Sequence, residues 1–177
     1  GGSDRIDPEA LSRCIASRAA GRVHGPQPGA LSLTQVTEMG NVYSLDELQA
    51  LCAVAKAHEI PVHLDGARFA NAIVSLGCTP AEMTWKAGVD VAVFGGTKNG
   101  LIGVEAVVFF DPAHAWEFEL RRKRGGHLFS KHRYLSAQMA AYLRDDLWLS
   151  LAQRANANTA RLLDGVRASN RVEIVND

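Results

Sequence analysis

Short apolar runs that alternate with helix-patterned segments constrain this chain more than any other feature. Residues 30–36, 61–65 and 89–94 have the length and apolar character of strands, and the segments between them carry helical spacing. Ser44 and Glu47 form a capping box, after which Leu45, Leu48, Leu51, Cys52 and Ala55 recur on one helical face as far as His58. Thr79-Pro80-Ala81-Glu82 repeats that start, and Gly88 predicts the end of its helix. An earlier helix opens at Asp7-Pro8-Glu9 and runs to near Gly21, and another fits residues 67–76. Such alternation implies an α/β architecture, a mostly parallel sheet flanked by helices, with ligands outside the carboxyl ends of the parallel strands. A fourth strand, 104–110, follows the third too closely for a helical crossover, so that pair is antiparallel or reaches across the sheet. Beyond residue 111 the pattern is helical, at 116–124, 133–143 and 147–168, with 171–175 beginning another strand. Leu143, Leu147 and Leu151 have the spacing of core or subunit packing.

Composition narrows the partners. With 47% apolar and 21% charged residues the chain can build a real core, and 19 basic against 19 acidic residues leave no net field toward nucleic acid or an anionic membrane. Cys14, Cys52 and Cys78 are widely spaced and odd in number, which suits neither a disulfide framework nor a zinc site and fits a reducing cytosol. No apolar run approaches the roughly 18 residues of a spanning helix, and the Gly1-Gly2-Ser3-Asp4 start is unlike a signal peptide. The expectation is a cytoplasmic protein acting on a small molecule, with no nucleic acid, membrane or metal.

The chemistry concentrates at two strand ends. Lys98 lies just beyond the third strand between Gly96 and Gly100, which present no side chains to an approaching ligand. Asp65 ends the second strand in an apolar setting where an unpaired carboxylate is expensive, so it needs a cationic partner. The pyridinium nitrogen of pyridoxal 5′-phosphate is one such partner, and Arg68, three residues on, is another. Arg68 offers a planar fork to a carboxylate or phosphate, most simply the α-carboxylate of an amino acid. A surface lysine and an Asp65–Arg68 ion pair are the bland alternatives; the three residues together favour a cofactor site.

Secondary candidates are weaker in kind. Thr97 can offer its hydroxyl or N–H to the cofactor, or stabilise a turn. His63 is expected to face away from the site, with Leu64 between it and Asp65. The basic run at 121–124 with Lys131 lacks interleaved aromatics and reads as a solvated face.

The stretch His63-Leu-Asp-Gly-Ala-Arg-Phe-Ala-Asn-Ala72, followed by Gly95-Gly-Thr-Lys-Asn-Gly100, resembles the low-specificity L-threonine aldolases, fold type I pyridoxal-phosphate enzymes of the aspartate-aminotransferase-like superfamily. The similarity extends through Gln35-Val-Thr-Glu-Met-Gly-Asn-Val-Tyr-Ser44 and Leu120-Arg-Arg-Lys-Arg-Gly-Gly-His-Leu-Phe-Ser-Lys131, most of the chain. It implies that Lys98 is the Schiff-base lysine, Asp65 the partner of the pyridine nitrogen and Arg68 a ligand of the substrate carboxylate. It further implies that His24 handles the proton of the β-hydroxyl and that Lys131 contributes a cation toward the cofactor phosphate. The reaction implied is retro-aldol cleavage of L-threonine or related β-hydroxy-α-amino acids to glycine and an aldehyde, in a homo-oligomer, dimer or tetramer. Residues 1–145 would then be part of the cofactor-binding large domain, and 146–177 a linking helix and the start of an incomplete small domain. The family is about twice this length, so its amino-terminal phosphate loop and most of its small domain have no counterpart here. Other fold type I lyases or aminotransferases, and a truncated inactive assembly module, are the alternatives.

Overall fold

In the computed structural model, which describes residues 4–18 and 23–174, four strands form one sheet in the order β1 (Leu31–Thr34), β2 (Val62–Asp65), β3 (Val91–Gly95), β4 (Glu105–Phe109). The first three are parallel, with Leu33 opposite Leu64 and Leu64 opposite Ala92, and β4 returns antiparallel to β3 with Gly95 opposite Glu105. A connection too short for a crossover leaves β4 this direction. Helix α1 (Pro8–Arg18) precedes β1, helices α2 (Leu45–Ala57), α3 (Phe69–Leu76) and α4 (Pro80–Met83) lie between strands, and α5 (Ala115–Arg124), α6 (Arg133–Leu143) and α7 (Leu147–Arg167) follow the sheet. The end expected for α1, near Gly21, falls outside the described residues.

Both capping boxes form. The Ser44 and Thr79 side chains accept from the amides of Glu47 and Glu82, whose carboxylates accept from the Ser44 and Thr79 amides in return. Each such cap contributes ~1 kcal/mol. The second helix nevertheless stops at Met83 rather than reaching Gly88. Thr84 Oγ1 donates back to the Pro80 carbonyl at 2.6 Å, and the chain leaves helical geometry at Thr84 (φ −121°, ψ −107°). Residues 171–174 form no strand, having no neighbouring strand to supply hydrogen bonds, and Val172 is exposed.

One sheet face carries the core. Leu31, Leu33, Val62, Leu64 and Ala92 are buried with Leu48, Leu51, Cys52 and Ala55 of α2 and Phe69, Ala70, Ala72 and Ile73 of α3. From the later helices Tyr142, Trp148 and Ala152 join them, and Phe94 packs edge-on against Phe69 and Trp148. The opposite face, with Ser32, Thr34, His63 and Asp65, is only partly covered. Strand alternation thus sends the apolar residues of β1 and β2 inward and leaves every second, polar position available.

Candidate active site

Asp65 is placed by the end of β2. Its Oδ1 accepts from the Ala67 amide at 3.0 Å, a turn that ends the strand and fixes the carboxylate at its carboxyl edge. His63 lies on the same sheet face as Asp65, not the opposite one, because residues two apart in a strand share a face. There His63 Nδ1 meets Ser32 Oγ across the strands at 2.8 Å.

Arg68 stands just before α3, with non-helical backbone (φ −122°, ψ 37°), so its side chain leaves the helix end rather than running along it. It does not pair with Asp65. Nη1 lies 3.7 Å from Glu38 Oε1, inside ion-pair range but too far for a hydrogen bond, and is buried without a hydrogen-bond partner. A buried guanidinium donor left in that state calls for an acceptor.

Lys98 sits in a 3-10 turn, Thr97–Asn99, directly beyond β3. The turn can approach Asp65 because two glycines meet closely there: the Gly95 N–H donates to the Gly66 carbonyl at 3.0 Å, and a Cβ on Gly95 would lie 2.6 Å from the carbonyl oxygens of Gly66 and Ala67. The flanking glycines are also required by packing. A Cβ on Gly96 would lie 2.5 Å from Leu101 Cδ1, and Gly100, at φ 110°, turns toward Leu151.

The far side of the turn is fastened to the helical layer. Asn99 is buried, and its Nδ2 donates to Tyr142 Oη at 2.6 Å and to the Trp148 carbonyl at 2.9 Å; Tyr142 Oη donates to the Gly95 carbonyl at 3.3 Å. Burial raises the phenol pKa of Tyr142, the Asn99 hydrogen bond opposes that shift, and the Glu105 charge adds to it. Sequence reading missed this network. Nothing in a helix-patterned run distinguishes Tyr142, although Asn99, a polar residue flanked by Lys98 and a glycine, was visible.

Lys98 and Arg68 line one open cleft of about 530 Å³. Its walls include Val36 and Val42 from the loop after β1, Asn71 from α3, and Asn156 and Leu163 from α7. Asn71 Nδ2 donates to Asn156 Oδ1 at 2.9 Å and Asn156 Nδ2 to the Asn71 carbonyl at 3.1 Å, which ties α7 to α3 along this cleft. Glu38, Asn71 and Asn156 were likewise not singled out from sequence. The other candidates lie elsewhere. Thr97 is exposed with its N–H on Glu105, His24 is in an exposed turn before β1, and Lys131 is exposed at φ 64°; none of them lines this cleft.

The amine of Lys98 and a guanidinium that is ion-paired only with Glu38, its Nη1 without a hydrogen bond, thus share the cleft, and the Asp65 carboxylate lies at the adjoining end of β2, outside the cleft lining. The family model of the beta-eliminating lyases matches residues 2–176. The chain belongs to the beta-eliminating lyase family. This lyase-family chain is 51% identical over 141 residues to the low specificity L-threonine aldolase of Pseudomonas aeruginosa, covering 80% of this chain and 40% of that protein. It is 49% identical over 146 residues to the enzyme of the same name from a Pseudomonas species, covering 82% of this chain and 42% of that one. The chain thus spans about two fifths of the length of these curated relatives. Among solved structures, the threonine aldolase of Leishmania major superposes with a TM-score of 0.84 at 25% identity, over 92% of this chain and 47% of that one. Mouse CSAD shares the fold at a TM-score of 0.61 and 21% identity, over 98% of this chain and 38% of its own. Among the described residues no helix is long and apolar enough to cross a membrane, and no group of three potential metal ligands is present.

Proposed function

We propose that this lyase-family chain carries the lysine and ring-nitrogen side of a pyridoxal-phosphate site that cleaves L-threonine and related β-hydroxy-α-amino acids to glycine and an aldehyde. The observation that carries the reading is the convergence of Lys98 and Arg68 on one cleft, with Arg68 Nη1 buried and without a hydrogen bond. When bound, pyridoxal phosphate supplies an electron sink for the pair left on Cα as the Cα–Cβ bond breaks.

The residues present suit that cofactor. Lys98 Nζ would be the amine that holds the cofactor covalently. The Asp65 carboxylate, with Oδ1 anchored by Ala67, would hold the ring nitrogen in its protonated form. Arg68 takes the α-carboxylate bidentately and so orients the bond to be broken. His24 takes the β-hydroxyl proton, Thr97 offers its hydroxyl to the cofactor, and Lys131 contributes a cation toward the phosphate. The roles of His24 and Lys131 rest on the family resemblance, and none of the three residues lines the described cleft. The names of the Pseudomonas and Leishmania relatives support the substrate class. A cytoplasmic homo-oligomer, divided near residue 146 into a large domain and the start of a smaller one, belongs to the same proposal.

Incubation of the full-length protein with pyridoxal phosphate and L-threonine is the test. The expected outcome is glycine plus acetaldehyde, and an absorbance band at about 420 nm that Lys98→Ala abolishes. Release of 2-oxobutanoate or of a transaminated keto acid would overturn the aldolase reading in favour of another reaction class. A folded protein without the band would point to an assembly module instead.

A further inference from the structure

Glu105 has no part in the site as assembled so far, yet its carboxylate is spent entirely on the lysine turn. The antiparallel register sets Glu105 opposite Gly95, so its side chain leaves the sheet where β3 gives way to the turn. Oε2 accepts from the Gly96 amide and Oε1 from the Thr97 amide, each at 3.2 Å. One charged group thus bridges the two consecutive amides that precede Lys98, and charged acceptors make the stronger hydrogen bonds.

The rest of the turn is closed as well. The Gly96 carbonyl accepts from the amides of Asn99 at 3.0 Å and Leu101 at 3.1 Å, and the Asn99 side chain is held by Tyr142 and Trp148. Glu105 fixes the entry of the turn and Asn99 its exit, leaving the Lys98 side chain exposed between them. Glu105 and Thr97 are exposed and Gly96 is buried, so water readily replaces the acceptor at Thr97 and less readily the one at Gly96. What water cannot replace is the fixed origin from which a long, rotatable lysine stem reaches its target.

We propose that Glu105 is a positioning residue for Lys98, its carboxylate holding the Gly96 and Thr97 amides so that the lysine amine is presented at one place. This rests on the reading of Lys98 as the amine that holds pyridoxal phosphate. Misplacement of a reacting group by about 1 Å can cost as much as a hundredfold in rate. Glu105→Ala loses both acceptors, and Glu105→Gln keeps one.

Two readouts on the full-length protein test this, neither of them turnover. Amide hydrogen exchange at Gly96 and Thr97 is compared with exchange at residues 62–65 of β2, which serve as an internal control for the fold. Borohydride trapping of added pyridoxal phosphate on Lys98, followed by peptide mass spectrometry, gives the rate of amine capture. In Glu105→Ala the turn amides are expected to exchange faster by about tenfold while β2 is unchanged, and the trapping rate to fall by about tenfold. Glu105→Gln should lie between Glu105→Ala and the unmodified protein in both measurements.

Unchanged exchange at the turn in Glu105→Ala overturns the proposal. Faster exchange with an unchanged trapping rate also overturns it, because the clamp would then be structural only. A rise that includes β2 in both variants places Glu105 in the stability of the fold and is equally fatal. If the unmodified protein itself forms no adduct on Lys98, the reading of Lys98 fails and takes the proposal with it. That case is recognisable because parent and variants alike lack the adduct.

Discussion

The side-chain amide of Asn99 donates to the hydroxyl of Tyr142 at 2.6 Å, joining the residue after Lys98 to a helix 43 positions farther along the chain. The same hydroxyl donates to the Gly95 carbonyl, so one phenol holds both ends of the lysine turn. Tyr142→Phe keeps the ring packing and removes only these bonds. It should destabilise the protein by about 1–2 kcal/mol, since the Trp148 carbonyl still receives Asn99. Urea unfolding is the measurement, and an unchanged midpoint would show that the network is not fastening the turn.

Arg68 lines the cleft with a buried donor that has no hydrogen bond and only a long ion pair, 3.7 Å, to exposed Glu38. Arg68→Ala should therefore cost little folding stability, within about 0.5 kcal/mol, and a small gain is consistent. Binding of an amino-acid substrate should weaken by tenfold or more, roughly the effect of one lost charge-assisted contact. Thermal melts together with steady-state kinetics separate the two. A large loss of stability with unchanged KM would assign Arg68 to the Glu38 ion pair instead.

Gly66 and Gly95 allow the ends of the parallel neighbours β2 and β3 to approach closely, so that their backbones cannot admit a Cβ there. A Cβ on Gly66 would run into the Val93 carbonyl oxygen and lie 3.0 Å from Phe69 Cβ. Gly66→Ala should cost about 1–3 kcal/mol or more and displace Asp65 relative to Lys98. Soluble yield and the denaturation midpoint report the first effect, and loss of pyridoxal-phosphate trapping on Lys98 the second. A variant as stable and as reactive as the parent would refute the close-approach argument.

Glu47 should make stability depend on acid. Its pKa is lowered, chiefly by the hydrogen bond from the Ser44 amide with help from Arg5, although partial burial opposes the shift. A lowered folded-state pKa gives stability that is present above the unfolded value, near 4.5, and lost as pH falls through the folded value. Glu47→Gln should thus be less stable than the parent at neutral pH, and the difference should close on acidification below that value. Denaturation midpoints across pH 3–7, a range spanning roughly the carboxylate titration, check it; a difference independent of pH would exclude the carboxylate's charge as the cause.

Burial pushes the Cys52 thiol up to about 11, so it stays protonated at neutral pH. Exposed Cys14 should react first with a thiol reagent, partly covered Cys78 later, and Cys52 only on unfolding. Counting modified thiols over time in native and denatured protein tests the order. Rapid labelling of all three in the native state would contradict the packing of α2.

The sequence by itself determined the alternation of strands and helices, both capped helix starts, and the placement of Asp65 and Lys98 at strand ends. Each of these is local: a capping box spans four residues, and a strand's periodicity is written in its own side chains. The return direction of β4 was also narrowed in advance, because chain length alone forbids a crossover.

Tertiary structure decided what depends on distant neighbours. Residues 171–174 found no strand to pair with, whereas the early end of α4 is local, the Thr84 hydroxyl bonding back to the Pro80 carbonyl four residues earlier. Gly96 and Gly100 also make room for Leu101 and Leu151, which no spacing in the sequence announced. Arg68 faces Glu38 rather than Asp65, and the lysine turn is gripped by Glu105 and Tyr142. A strand end shows that Lys98 can lie at a ligand-facing edge, but only packing between elements far apart in the chain fixes which residues hold that turn.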